Sequence, residues 1–244
     1  MPTEERVSQY EKALQELRAL ILNGGVEANT RLAETALAER FGISRTPLRQ
    51  AMDRLVEEGL LERADTGRCR VASFTMEDII DAIELRGVVE GTAARLAAER
   101  GADPALAVEC RAVLDALDRA TASADAIDFT AYVRLNARFH ELIAALAGSR
   151  VVQREVERAA RLPLASPSAF LQGQEVVHDF RASLPRAQRQ HRALFDAILA
   201  REGARAESLA REHARLARIN LEYAMQAGPD IAERVPGLAL VSDN

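Results

Sequence analysis

The sequence contains no tryptophan, and its three tyrosines and seven phenylalanines bring aromatic residues to only 4%. Binding of single-stranded nucleic acid by base stacking needs aromatic platforms and is therefore disfavoured. Cysteine is equally scarce. Cys69 and Cys110 lie far apart and form no CxxC pair, so neither a disulfide framework nor a cysteine-rich zinc site is expected, and the composition fits a reducing cytoplasm. No uninterrupted apolar run approaches the ~18–20 residues that span a bilayer. The opening residues Met1–Glu5 lack the basic-then-apolar order of an export signal. A cytoplasmic protein with no membrane partner is the expectation. An excess of positive charge is also missing. The 32 basic and 37 acidic residues leave a net charge of −5, which excludes wholesale coating of nucleic acid but leaves room for a focused basic patch.

Helix-forming residues are what the chain has in quantity. Of the 244 residues, 48% are hydrophobic and 28% charged, an ordinary globular balance for one or two domains that each bury a core. Ala, Leu, Arg and Glu recur with helical periodicity, while β-branched and aromatic runs are nearly confined to Leu60–Phe74. The expected fold class is mostly α. Helices are expected over about Glu4–Asn23, Arg31–Phe41 and Arg45–Glu58, followed by a β-hairpin of Leu60–Arg63 and Arg70–Phe74 around Asp65-Thr66-Gly67. On the first helix Val7, Tyr10, Leu14, Leu17 and Leu20/Ile21 form the apolar stripe. Beyond Thr75 only long helices are expected, at about Met76–Arg100, Pro104–Ala122, Asp128–Ala147, Val151–Leu162, Pro185–Arg201 and Ala204–Ala227, with Gly and Pro at the breaks. Residues 1–75 then make one domain, 76–230 a six-helix all-α bundle, and 231–244 a C-terminal tail. Ser166–Leu184 reads either as a loop or as a further short helix.

Within Leu37–Leu55, Gly42 follows a short helix, Ser44 is placed to cap the next, and Pro47 falls in its first turn. This is helix-turn-helix spacing. Ile43, Leu48, Met52 or Ala51, and Leu55 face the core, leaving Arg45, Thr46, Arg49 and Gln50 on the outer face near the helix N-terminus, where a recognition helix meets the major groove. Arg suits guanine O6 and N7, Gln suits adenine, and Thr suits a phosphate or a thymine methyl. The hairpin becomes a wing whose tip, Gly67-Arg68, approaches phosphates or the minor groove. Arginines on an amphipathic helix are more commonly a solvated face. From Arg40 to Arg54, Arg40, Arg45, Arg49 and Arg54 are opposed only by Asp53, which favours a DNA-binding patch doubled by dimerisation.

Arg31–Phe74, with LAERFGISRTPLRQAMDRLVEEGLL and the hairpin after it, resembles the winged helix-turn-helix of GntR-type bacterial transcription regulators. Family members usually carry Glu where Gln50 stands, and commonly a second wing glycine near Cys69.

Three of the four histidines fall on apolar stripes. Val133, Asn136, His140, Ile143 and Ala147 share one helix face; His191 sits among Leu184, Gln188, Leu194, Phe195 and Ile198; His213 sits among Leu209, Leu216 and Asn220. The break at Gly203 falls almost midway between His191 and His213, so an antiparallel hairpin brings those imidazoles level. A lone histidine on an apolar face is more often a hydrogen-bonded core residue, but three that can converge suit a divalent ion such as Zn²⁺, Ni²⁺, Mn²⁺ or Fe²⁺. His178 is expected to be solvated. Ser166 and Ser168 either line a pocket or cap a helix.

Met76–Ala227 resembles the FCD effector domain of the FadR-like branch of the same regulators, and its six helices resemble the shorter, VanR-like subgroup. The resemblance implies a metal held by Asn136, His140, His191 and His213, with Asn where the family has Asp or Asn ahead of FH. In ELRGVVEGTAARLAAERG, also like that branch, Arg86 either points inward to clamp an effector carboxylate or pairs with Glu90 one turn on. The function so implied is a ligand-responsive regulator, a repressor that binds a palindromic operator in double-stranded DNA as a homodimer and senses a small carboxylic acid. The alternative is a metal-dependent hydrolase built on the three histidines, against which stand the absence of HExxH and of an evident general base.

Overall fold

The computed structural model describes residues 8–64, 67–122, 127–176, 181, 183–227 and 234–242. The chain divides into two compact units, Met1–Glu77 together with Pro236–Asn244, and Asp78–Val235. His178, Val7, Asp65 and Thr66 lie outside the described residues.

In the first unit, helix α1 spans Gln9–Leu22. It starts later than its periodicity predicts, because Ser8 and Glu11 form a reciprocal capping box: Glu11 N–H donates to Ser8 Oγ (3.1 Å) and Ser8 N–H to the Glu11 carboxylate (2.9 Å). Its buried line is Ala13, Leu17 and Ile21, with Tyr10, Leu14 and Leu20 flanking it half-buried. Helix α2, Glu34–Phe41, also begins late, since Arg31 is drawn into a bridge with Arg70. Gly42 ends α2 in the left-handed region (φ 63°), and α3 follows over Arg45–Glu57. Strands β1 (Leu61–Arg63) and β2 (Cys69–Val71) pair antiparallel, with Leu61 opposite Val71. The sequence suggests only a tail after residue 230. Instead, a 3₁₀ turn at Leu238–Leu240 buries Leu238 and Leu240, and β4 (Val241–Ser242) pairs in parallel with β3 (Phe74–Thr75). Burial of those two leucines is the physical reason the terminus folds back.

The second unit is all helix among its described residues. Its elements are α4 (Met76–Arg100), α5 (Pro104–Ala120), α6 (Phe129–Leu146), α7 (Arg150–Ala159), α8 (Leu171–Val176), α9 (Ser183–Leu199), α10 (Gly203–Ala214) and α11 (Leu216–Gln226). Asp103, Asp128 and Ser149 cap α5, α6 and α7 with side-chain oxygens. The single helix expected over Ala204–Ala227 is interrupted at Arg215. There the buried Arg86 donates from Nη2 to the Ala214 carbonyl (3.2 Å), an intrusion into the helical hydrogen-bond ladder. Phe139, Leu142, Leu114, Leu117, Phe195 and Ile198 build the core. Val133, assigned by periodicity to the inward face of α6, is 42% exposed, and Tyr132 takes the buried place beside it.

Helix α4 approaches α10 through small residues. A Cβ at Gly91 would sit 3.1 Å from the Glu207 backbone oxygen and 3.1 Å from the Arg211 and Glu207 side chains, and one at Gly87 would sit 3.1 Å from Ala214 Cβ. That closeness carries Arg86 and Glu90 into the bundle. Gly91→Val is expected to destabilise the protein by ~1–3 kcal/mol through overpacking, read from urea unfolding; a loss below about 0.5 kcal/mol would mean that the α4–α10 contact yields easily.

Candidate nucleic-acid interface and candidate metal centre

Leu48, Ala51, Met52 and Leu55 are buried on one side of α3, which leaves Arg45, Thr46, Arg49 and Gln50 exposed on the other. Ser44 sits at the N-cap with extended backbone but makes no capping hydrogen bond from its side chain. One residue of this face escapes sequence reasoning. Glu34, at the start of α2, accepts from Arg49 Nε (2.7 Å) and from Arg45 Nη2 (3.4 Å). Both arginines hold its carboxyl below the usual carboxylate range, so the two guanidinium groups share one acidic anchor. At the wing, Gly67 has φ +77° and is exposed with Arg68. A Cβ there would meet nothing within 4 Å, so the glycine is required by its backbone angle and not by crowding. Arg63 donates to the Gly67 carbonyl (2.9 Å) and pairs with Asp53, while Arg70 pairs with Glu62.

In the second unit the hairpin of α9 and α10 does what the position of Gly203 suggests. His191 Nε2 and His213 Nε2 lie 3.0 Å apart, and the ligand atoms of His140, His191 and His213 all fall within 4.8 Å of one another. Phe139 packs against the His191 ring at 4.3 Å between centroids, walling the site from one side. Each imidazole is backed by an oxygen at Nδ1: Glu90 for His140 (3.3 Å), Gln188 for His191 (3.0 Å) and Gln190 for His213 (3.1 Å). The Nε2 of His140 is buried without a hydrogen-bond partner.

The protons available to this row decide whether the residues fit a metal. Along the row from Gln188 oxygen through His191 and His213 to Gln190 oxygen there are three polar contacts, each needing one proton. Two neutral imidazoles carry two. Burial pushes both His191 and His213 well below the ordinary histidine pKa, helped by His140 at His191 and by His191 and His140 at His213, which disfavours a third proton at neutral pH. The Nε2–Nε2 contact is then left with two facing lone pairs, and a cation is the species that satisfies both. The donor set fits a divalent metal.

Asn136 is buried one turn before His140 and donates from Nδ2 to the Pro167 carbonyl and to Ser168 Oγ (both 3.4 Å). It lines, with Arg86, Tyr132, His213 and Asn220, a cavity of about 40 Å³. A larger cavity of about 460 Å³ between α6 and α7 reaches Glu90 and His140 and is lined also by Ser166 and Ser168. Ser166 Oγ in addition accepts from Ser168 N–H (3.2 Å) within the turn ahead of α8. Arg86 is inward and also paired: its Nη1 lies 3.5 Å from Glu90 Oε1, and its Nε and Nη1 have no hydrogen-bond partner. For Glu90, burial raises the pKa, but Arg86 and then His140 outweigh it and bring it to about 2. Glu90, Gln188 and Gln190 are the site residues that sequence reasoning misses as such. Glu90 and Gln188 carried a signal, as polar residues one turn from Arg86 and His191 on buried faces.

The sequence matches the FCD domain over residues 81–216 and the family described as bacterial regulatory proteins, gntR family, over residues 9–71. It is 30% identical over 198 residues to the HTH-type transcriptional repressor GlaR of Escherichia coli (strain K12), covering 79% of this chain and 86% of that one. It is 28% identical over 189 residues to the HTH-type transcriptional regulator YdhC of Bacillus subtilis (strain 168), covering 78% and 80%. Among solved structures, E. coli McbR/YncC shares the fold with a TM-score of 0.63 at 20% identity, over 91% of this chain and all of the other.

The buried Arg86–Glu90 pair makes a stability prediction. Glu90→Gln leaves the guanidinium buried without its counter-charge and is expected to destabilise by ~3–5 kcal/mol in urea unfolding at neutral pH. Arg86→Met with Glu90→Leu should recover most of that loss. Because the folded-state pKa is depressed, the contribution of Glu90 is complete above the ordinary value of 4.5 and is lost as pH falls through about 2. A single variant as stable as wild type would remove the pair from the account.

Proposed function

This chain belongs to the gntR family of bacterial regulatory proteins and carries an FCD effector-binding domain; on that premise we propose that it represses transcription by binding a palindromic operator as a homodimer in the cytoplasm, and that a small carboxylic acid relieves repression by ligating a metal in the helical unit. The observation that carries the DNA half is the exposed Arg45, Thr46, Arg49 and Gln50 on a helix whose opposite side is buried. A recognition helix of this length reads only a few base pairs, and genomic competition demands more, so two copies on inverted half-sites are needed. Arg45 and Arg49 read bases or phosphates with Glu34 aligning their planes, Thr46 and Gln50 supply further contacts, and Gly67 with Arg68 brings the wing to the backbone. Dividing the chain at 75–76 assigns DNA to the first domain and effector to the second.

The effector half rests on the three Nε2 atoms and the facing lone pairs. His140, His191 and His213 hold the ion, Zn²⁺, Ni²⁺, Mn²⁺ or Fe²⁺, and the Asn136 carbonyl oxygen serves as a weak further ligand. When bound, the ion supplies a Lewis-acidic centre for an oxygen donor. The protein's own contribution is charge. With neutral ligands the ion keeps its positive charge, and Arg86, with two nitrogens that make no hydrogen bond, adds a second attraction for a carboxylate entering an apolar bundle. Hydrolysis is the weaker reading. The carboxylate beside the histidines, Glu90, is held by Arg86 and His140 and is too acidic to serve as a general base. No helix among the described residues is long and apolar enough to cross a membrane.

Fluorescence anisotropy with the native upstream duplex and a scrambled one tests the proposal. Arg45→Ala with Arg49→Ala is expected to weaken operator binding by ~1–3 kcal/mol per base-reading arginine, and small carboxylic acids, but not their amides, should shift operator affinity only when metal is present. Unchanged operator affinity in the double variant sinks the recognition helix. Equal effects of acids and amides sink the carboxylate effector.

A further inference from the structure

The hydrogen bonds behind His191 and His213 extend one residue further than the imidazoles need. The Gln188 side-chain amide donates to the Leu114 carbonyl (3.2 Å) and to Asp118 Oδ1 (2.7 Å), and Asp118 is itself held by Arg192 Nε (3.0 Å). Both acceptors fix the amide so that its oxygen, not its nitrogen, faces His191 Nδ1. The second histidine repeats the arrangement on another helix: the Gln190 amide donates to Glu212 Oε1 (2.9 Å), which turns its oxygen toward His213 Nδ1. A glutamine amide between apolar partners could flip; one tied to a carboxylate cannot without losing a charge-assisted bond. His140 differs: Glu90 Oε1 lies 3.3 Å from its Nδ1, at ion-pair distance, but makes no hydrogen bond.

We propose that Asp118–Gln188 and Glu212–Gln190 are positioning relays, which hold His191 and His213 protonated at Nδ1 and so turn both Nε2 lone pairs toward a single cation. This rests on the metal-centre reading above and deepens it. An acceptor at each Nδ1 demands the N–H there, so neither ring can place its proton at Nε2 to satisfy the 3.0 Å contact. The relays therefore trade a comfortable metal-free site for a prepared metal site. Neutral glutamines do this without adding negative charge beside the rings, while the carboxylates that orient them lie at the exposed ends of the network. A consequence separates the relays from ordinary buried hydrogen bonds. If the Gln190 oxygen is removed, His213 can shift its proton to Nε2 and donate to His191, so the metal-free contact gains the proton it lacks, which offsets the bonds lost with Gln190, while a metal must first drive that proton back to Nδ1.

The test uses full-length protein stripped by a chelator, with imidazole ¹⁵N shifts read by NMR, Zn²⁺ affinity by competition with a chromophoric chelator, and metal-free melting by circular dichroism. Metal-free wild type should show His191 and His213 protonated at Nδ1. Gln190→Met and Gln188→Met should each lower Zn²⁺ affinity by ~10–100-fold, with Gln190→Met moving the His213 proton to Nε2 and leaving the metal-free melting temperature undiminished. Glu212→Gln, whose amide donates as well as accepts and so frees the Gln190 amide to flip, should lower Zn²⁺ affinity in the same direction as Gln190→Met but by a smaller factor. Either wild-type ring protonated at Nε2, wild-type Zn²⁺ affinity in Gln190→Met, or a lower metal-free melting temperature in that variant overturns the relays. Wild type with both rings protonated at Nδ1 but no Zn²⁺ binding supports the relays and overturns the metal centre instead.

Discussion

Three polar contacts in a row share two protons, and the chemistry of the histidine site follows from that shortage. The row exists because α9 and α10 return on each other at Glu202, midway between His191 and His213 in sequence, and because Phe139 and the alanines of α4 pack the two helices closely enough to bring the imidazole nitrogens to 3.0 Å. A buried contact of that length is satisfied by a proton or by a cation. Burial favours the neutral rings, and the glutamine oxygens take up the two protons present, so this contact fits a cation.

The same packing explains why a full ion pair lies within the bundle. Gly87 and Gly91 let α4 lie against α10, and Arg86 and Glu90 enter with it. Burying such a pair gives little net stability, while breaking it is costly, so its presence asks for a further role. Glu90 reaches His140 and supplies the negative charge that Asn136 does not, and Arg86 reaches the Ala214 carbonyl where α10 gives way to α11. A ligand that engages Arg86 thereby competes with a bond at a helix break. Any response to it depends on that ligand preferring one arrangement of the break over the other.

Much of this was legible in the sequence because it depends on period and spacing. Helix α3 and its exposed arginine face followed from Gly42, Ser44 and the apolar spacing of Leu48, Met52 and Leu55, and the meeting of His191 with His213 followed from a break placed between them. Three kinds of feature were not legible. Val133 fits the stripe of Asn136 and His140 by number, yet the real face of α6 is turned by Tyr132 and Phe139, whose larger areas dominate burial. Glu34, Gln190 and Glu212 act across tertiary contacts with no periodic signature. The return of Leu238 and Leu240 to the first unit, like the interruption at Arg215, is set by partners distant in sequence.

X-ray absorption at the zinc edge, on full-length protein reconstituted with one equivalent of Zn²⁺, bears most directly on the central claim that the histidine row is built around a cation. Three imidazole nitrogens are expected around the zinc at ~2.0–2.1 Å with oxygen completing the set. A first shell holding one imidazole or none, or zinc that dialyses away from the wild-type protein, would contradict it.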